Sequence, residues 1–366
     1  MMDAHITNFD QGRAVYRQID FDENRVRWDR WLKDADHGDA TQLSAHLNSF
    51  RAYRANVELH VVEDDRGDIL AGAGMISWKI PGIGVPFGIA AGGPVGDTKY
   101  WPLLLEGLSA SCRQQKWMCV ELRPGVPIED QQARDSLAEF GFQSVPQVFA
   151  PVSTLGFDLR VRLAGLSEDE LVRSFRRQTR QHVQRSLAEG YQIEMPTVES
   201  DIRAGADFFY ETTVENGLPF GPRSRFLAAV LDLVRSETGY LALVKHQDRP
   251  LAGGVFVRAG RAHRCYRLVT KRDETYRRPA YYLHWQAMLR ARQENVDWYY
   301  LTGRSTASVH QFKRGFRPQE LEFLSPHRLV LRPALMRSIE TIQPLAKKTA
   351  LGILGAANRW RARRSS

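Results

Sequence analysis

Tyr240-Leu241-Ala242-Leu243-Val244 alternates like a strand, His246-Gln247-Asp248-Arg249 is turn chemistry, and Pro250-Leu251-Ala252-Gly253-Gly254-Val255-Phe256-Val257 resumes the strand. Together they read as a β-hairpin. The same pattern stands upstream, in Leu59 to Glu63, the turn Asp64-Asp65-Arg66-Gly67-Asp68, and Ile69 to Ile76. Each hairpin is followed by a helical stretch and then a buried-strand run. In the first these are Trp101 to Gln115 and Trp117 to Leu122, and in the second Pro279 to Glu294 and Val296 to Leu301. The offset between the copies is 181 residues at the hairpin and 179 at the strand. Two copies of one α/β unit, roughly residues 20 to 160 and 161 to 332, explain this order, and units of this kind are compatible with an acyltransferase-type α/β sheet. The expected division is an N-terminal domain 1–160, a C-terminal domain 161–332 carrying the main site, and a C-terminal amphipathic basic helix or tail over 333–366.

The chain has 366 residues, enough for two domains of ordinary size. Hydrophobic residues at 43% and charged residues at 25% are the usage of a globular protein with a sizeable core, which excludes global disorder. Cys112, Cys119 and Cys265 form no C-x-x-C and no zinc-spaced cluster, so neither a disulfide framework nor a structural metal is expected. Met1 to His5 has no basic or apolar signal region, and the uncharged run Ile80 to Gly96 holds three prolines and six glycines, which reads as turns and short strands. An intracellular, cytoplasmic protein is expected. The formal net charge of +9 favours a polyanionic partner: RNA, a nucleotide-linked substrate or an acidic membrane surface.

Ser167-Glu168-Asp169-Glu170 reads as a capping box with acids at the positive end of a helix dipole, and Gly190 is placed to stop the helix. The pattern predicts one helix of about six turns. Leu171, Phe175, Val183 and Leu187 would form its apolar stripe, and Arg173, Arg176, Arg177 and Arg180 a cationic one. Without acidic i+4 partners those arginines repel one another until an anion arrives, so Arg176, Arg177 and Arg180 are expected to face a phosphate-bearing substrate. The alternative is a solvated face.

Serine-hydrolase elbows, Walker loops, Rossmann fingerprints and zincin motifs are absent from the sequence. What remains is Leu301 to Phe316, read as a loop of small residues at the carboxyl end of a strand, where open α/β sheets bind ligands. There Gly315 would permit a positive φ, Phe312 and Phe316 would anchor, and Lys313 would reach outward.

Several stretches, in order and spacing, resemble the Fem family of aminoacyl-tRNA-dependent peptidyltransferases. They are the capped basic helix ending in Ala188-Glu189-Gly190, Phe208-Phe209-Tyr210 leading to Asn216-Gly217-Leu218-Pro219-Phe220, Pro250 to Gly254, Pro279 to Trp285, and Phe312-Lys313-Arg314-Gly315-Phe316. The resemblance covers roughly residues 45 to 330 and is carried in the first half by Gly92-Gly93-Pro94 and Leu122-Arg123-Pro124. It implies two tandem GNAT-like domains with mixed sheets flanked by helices, and transfer of an amino acid from aminoacyl-tRNA to an amine of a peptidoglycan precursor, with no tightly bound cofactor. It further implies catalytic roles for Lys313 and Phe312. Arg223 and Tyr266 would contact the precursor's phosphates and sugar, with Arg51 and Arg54 as weaker substrate contacts.

Three departures stand out. The long helical hairpin that some members insert is missing, since Gly190 and Pro196 follow so closely, which leaves tRNA contact to the basic surface. Lys271 to Ala280 has no glycine to cradle the pyrophosphate of acyl-CoA. In the tail, Leu335, Ile339, Ile342 and Leu345 mark an apolar face and Trp360-Arg361-Ala362-Arg363-Arg364 is aromatic and basic, read either as lying peripherally on the inner face of a membrane or as docking on the body. Two other readings are an acyl-CoA-dependent N-acyltransferase acting on an envelope polysaccharide or small-molecule amine, and a non-catalytic RNA- or membrane-surface-binding protein. Monomer and dimer stay open.

Overall fold

The computed structural model describes residues 6–9, 12–80, 82–145, 156–217, 221–271, 278–302, 307–339 and 341. In chain order the first repeat contributes β1 (Ile6–Phe9), β2 (Gly12–Ile19), α1 (Phe21–Leu32), α2 (Ser44–Asn48), β3 (Asn56–Glu63), β4 (Ile69–Lys79), β5 (Pro86–Gly92), β6 (Val95–Gly96), α3 (Trp101–Gln114), β7 (Cys119–Pro124), α4 (Gln131–Glu139) and β8 (Gln143–Ser144). There follow β9 (Phe157–Arg162), α5 (Glu168–Ser174), α6 (Arg177–Ala188), β10 (Gln192–Glu194), α7 (Glu199–Glu215), α8 (Arg223–Arg235), β11 (Gly239–His246), β12 (Arg249–Ala259), β13 (Ala262–Thr270), α9 (Pro279–Gln293), β14 (Trp298–Tyr300), α10 (Ala307–Arg314), β15 (Gln319–Glu322) and β16 (His327–Val330). Among the described residues these build two mixed sheets, ordered β1-β2-β3-β4-β5-β7-β16-β8, with β6 beside β4, and β10-β11-β12-β13-β14-β9-β15.

The two hairpins share a local irregularity. β3 and β4 shift register between Val62 and Glu63, and β11 and β12 between Val244 and Lys245, so one extra residue enters the same place in both copies. Each copy then sets a parallel pair beside the hairpin, β5 with β7 and β13 with β14. The connecting helices α3 and α9 each carry proline in the first turn, where its missing N–H costs nothing.

The strands redraw the expected divisions. β9 belongs wholly to the second sheet, antiparallel to β14, so a boundary at 160 falls inside a strand. β16, expected in the second domain, pairs antiparallel with β7 in the first sheet. β16 thus follows the second repeat in the chain yet lies inside the first sheet, between β7 and β8. The repeats also share a core. Alternation along the strands sends Leu59 and Val61 of the first sheet, and Leu241 and Val255 of the second, into one cluster with Trp28, Leu47 and Phe209. The opposite face of the second sheet, with Ala242 and Phe256, packs with Val183, Trp285 and Phe316. That of the first packs on Trp101, Leu104 and Trp117. Each fully buried Leu, Val or Phe contributes about 1.5 to 3 kcal/mol, so separating the repeats would expose a large part of the stability.

The expected single helix over 167–190 is two helices. Its start is as read: Ser167 Oγ accepts from the Glu170 N–H, Glu170 returns a bond to the Ser167 N–H, and Gly190 at φ +70 ends α6. Between them Phe175 is extended (φ −67, ψ 158) and buried against Trp285 and Phe316, and the Arg176 N–H leaves the helical ladder for the Gly315 carbonyl at 2.9 Å. Tertiary contact outweighs helix continuity here. The break shifts the apolar stripe: Thr179, Val183 and Ser186 are buried on α6, and Leu187 is 51% exposed. It also divides the four arginines, and Arg173 has an acidic neighbour after all, Asp169 at 4.0 Å.

Residues 333–339 are helical, and Met336 is buried against Met118 and Cys119 with Leu335 and Ile339 beside it, so the tail begins docked on the first repeat. Ile342, Leu345 and the Trp360–Arg364 cluster lie outside the described residues.

Candidate active site

β13 and β14 pair in parallel only over Ala262–Arg264 and Trp298–Tyr300. Beyond that point β13 runs on to Thr270 while the other chain turns aside at Thr302, which takes φ +56. The last link is a hydrogen bond from Thr302 Oγ1 to the Cys265 carbonyl, 2.6 Å. Past it the strands part and a cleft of about 440 Å³ opens. In the first sheet β5 and β7 stay paired to Gly92 and Pro124, and a hollow of about 70 Å³ lies beside Asp39 and Thr41. Among the described residues the parallel strands thus part early in the second sheet and stay paired further in the first.

Lys313 and Phe312 line this cleft, with Tyr266, His284 and Cys265. The segment that carries Lys313, expected to be a loop, is the helix α10 over Ala307–Arg314, and Gly303 to Thr306 lie outside the described residues. Lys313 does not reach outward. It folds back so that Nζ donates to the Thr302 carbonyl at the point where the strands separate. Phe312 fixes that end of the helix, its ring 4.8 Å from Tyr281, 5.5 Å from His284 and 5.4 Å from Phe316. Gly315 does not adopt a positive φ. Its need for a missing side chain is steric, since a Cβ would stand 2.1 Å from Thr179 Oγ1 and 2.9 Å from the Phe312 carbonyl oxygen.

Burial lowers the Lys313 pKa, while Cys265 and Asp158 pull it back up. His284 is buried, its Nδ1 2.7 Å from Tyr299 Oη, and burial together with the Lys313 charge pushes its pKa down to about 3. The Cys265 thiol is pushed up to about 12 by burial. At neutral pH histidine and thiol are therefore uncharged, and the cations lining the cleft are Lys313 and Arg267. A fixed cation in a partly apolar cleft can stabilise an oxyanion that forms beside it.

Tyr266 approaches from the opposite face of β13. It packs toward the core shared by the repeats, whereas Cys265 belongs to the core under α9. The cleft therefore reaches through the sheet between two faces. Of the residues expected to act together, Lys313, Phe312 and Tyr266 share it. The start of α6 meets the end of α10, where the Arg176 N–H bonds Gly315 and Thr179 abuts Gly315, but Arg176 and Arg177 are exposed and none of Arg176, Arg177 and Arg180 lines the cleft. Arg223, exposed at the start of α8, pairs with Asp207, its Nε 2.7 Å from Oδ1. Arg51 holds Asp22 through two bonds of 2.8 and 2.9 Å, and Arg54 is an exposed residue at φ +59; neither reaches the cleft. Cys265, His284 and Thr302 were not singled out from the sequence, where each sits in an apolar or unremarkable run. Among the described residues no helix is long and apolar enough to cross a membrane.

Residues 173–314 match the family model of an acetyltransferase (GNAT) domain. No curated protein matches the chain in sequence. Among solved structures, FemX is 16% identical over 88% of this chain and 100% of its own, with a TM-score of 0.77. The C-terminal (DUF2156) domain of a putative lysylphosphatidylglycerol synthetase from Agrobacterium fabrum is 14% identical over 88% and 97%, TM-score 0.55. L-PGS from Bacillus licheniformis is 11% identical over 89% and 96%, TM-score 0.54. The likeness is one of fold: the chain is an α/β protein with two tandem GNAT-like units, and it shares the whole frame of FemX.

Proposed function

We propose that this chain is an N-acyltransferase of the Fem type, moving an aminoacyl group from aminoacyl-tRNA to an amine of a peptidoglycan or other cell-envelope precursor. The observation that carries the reading is Lys313, held by the Thr302 carbonyl at the mouth of the parted strands β13 and β14. Both the GNAT match over 173–314 and the FemX-like frame support an acyl transfer at that position.

The chemistry follows from the two faces of the cleft. The acceptor's unprotonated amine attacks the ester carbonyl carbon, a C–N bond forms, and the carbonyl oxygen becomes an oxyanion beside the Lys313 ammonium. Collapse restores the carbonyl, breaks the C–O bond to the tRNA ribose, and passes the amine proton, through substrate or water, to the departing oxygen. A charged lysine has no acceptor, so Lys313 stabilises charge and does not remove that proton. Phe312 orients it. On the basic surface, Arg176, Arg177, Arg180 and Arg223, with Arg51 and Arg54 on the first repeat, are the residues we assign to the phosphates of tRNA and of a nucleotide- or lipid-linked precursor. The site of action in this reading is cytoplasmic, at the inner face of the membrane, with the basic tail as its peripheral contact.

The test uses a pool of tRNA charged with radiolabelled amino acids and a UDP-linked peptidoglycan precursor as acceptor. Transfer that RNase abolishes is the expected result. Label transferred from acyl-CoA instead, with thermal stabilisation by acyl-CoA, would replace the donor and leave an ordinary GNAT acyltransferase. Salt-sensitive RNA binding without turnover would make the chain a binding protein.

A further inference from the structure

The cleft wall that carries Tyr266 is completed from the other repeat. His46, on α2, has Nδ1 2.8 Å from Tyr266 Oη, with the two rings at 87°. His46 also stands edge-on to Phe50 at 5.2 Å, and Ser49 Oγ donates to its carbonyl at 2.6 Å. Arg225 Nη2, from α8 of the second repeat, donates to Ser49 Oγ at 3.0 Å, so the backbone of His46 is tied across the same boundary. Among the described residues the far nitrogen, Nε2, is buried without a hydrogen-bond partner.

That last feature selects the tautomer. A buried N–H left unpaired is rarer and costlier than an unpaired acceptor, so the proton sits on Nδ1 and Nε2 keeps its lone pair. Burial and the charges of Arg225 and Arg267 hold the ring uncharged, with a pKa pushed down to about 4, and burial likewise keeps the Tyr266 phenol protonated. His46 Nδ1–H then donates to the phenol oxygen, to which the Arg267 guanidinium also donates. Neither partner accepts, so the phenol's own proton is directed away from both.

We propose that His46 is a positioning residue supplied by the first repeat: by filling, alongside Arg267, the acceptor side of the Tyr266 hydroxyl, it keeps that hydroxyl a hydrogen-bond donor toward substrate in the cleft. The inference rests on the transferase reading for what Tyr266 touches.

The experiment is a double-mutant cycle with His46→Phe, Tyr266→Phe and the double variant, assayed for kcat and KM with aminoacyl-tRNA and the UDP-linked precursor. One hydrogen bond predicts a roughly three- to tenfold fall in kcat/KM for each single variant. Because His46 acts only through Tyr266, the double variant falls no lower than Tyr266→Phe alone. His46→Gln, which keeps an N–H donor, recovers most of the loss and also serves if His46→Phe folds poorly. Losses that multiply, or a His46→Phe enzyme of wild-type rate, would overturn the assignment. In parallel, the phenolic 13C resonance of Tyr266 moves in His46→Phe and stays in place in His46→Gln. An unmoved resonance in His46→Phe sinks the assignment whatever the activity, whereas absence of transfer from both tRNA and CoA sinks the transferase reading alone.

Discussion

His284 shows how one side chain ties the cleft to folding. It is 2% exposed, bonded to Tyr299, and has its pKa pushed from 6.5 down to about 3, mainly by burial. The unfolded chain binds a proton at this histidine below pH 6.5 that the folded chain refuses, so stability falls as pH drops from about 6.5 toward 3. Each such histidine adds about 1.4 kcal/mol per pH unit to that slope, and His46 adds a second. Urea unfolding at pH 7 and pH 4.5 is expected to show the loss, and His284→Gln to flatten the slope; an unchanged slope would show that the ring is not buried as described. Lys313 is displaced in the same direction, so its ammonium is lost below the pH at which an ordinary lysine titrates. The Phe312-Lys313 pair was a site candidate through the resemblance to the Fem family, since its setting after a buried strand was equally that of an ordinary surface turn. His46 was not, because its partner is 220 residues away and nothing in its own segment marks it.

The elements whose signals are local were legible: the two hairpins, the capping box of α5, the glycine stop of α6 and the helical stretches of α3 and α9. What escaped was decided by contact at a distance. The helix breaks at Phe175 because that ring belongs to the core of Trp285 and Phe316, and Arg176 is bonded by Gly315. Small residues made Leu301 to Phe316 look like a loop, yet Ala307–Arg314 is helical and its end is clamped by α6. The clamp makes a prediction. Gly315→Ala places a methyl 2.1 Å from Thr179 Oγ1 and is expected to cost about 1 to 3 kcal/mol, lowering both the melting temperature and turnover by displacing Lys313. Adding Thr179→Ala should restore part of both; if it restores neither, the contact is not what holds α10.

Across the whole molecule the repeats behave as one body. They share a core, the first sheet takes in β16 from beyond the second repeat, and the two meet at Gly38 and Gly260, where a Cβ on Gly38 would lie 2.6 Å from the Gly260 nitrogen. The sequence showed the duplication but not this crossing, since strand partners across repeats leave no periodicity to read. One buried ion pair sits at this junction: Arg264 of β13 bonds Asp158 of β9 at 2.6 Å and faces Asp39 of the first repeat at 3.5 Å. Asp158→Ala would leave that guanidinium with Asp39 as its carboxylate partner and is expected to cost about 1 to 3 kcal/mol, seen as a lower urea midpoint for a single transition. Two separate transitions would instead mean that the repeats fold independently. The cleft at their junction is the centre of the account, and Lys313→Ala tests it most directly. Under single-turnover conditions with charged tRNA and the UDP-linked precursor, the rate should fall about 10²- to 10³-fold, as for loss of an oxyanion partner, with a melting temperature close to wild type. Transfer at the wild-type rate in that variant would contradict it.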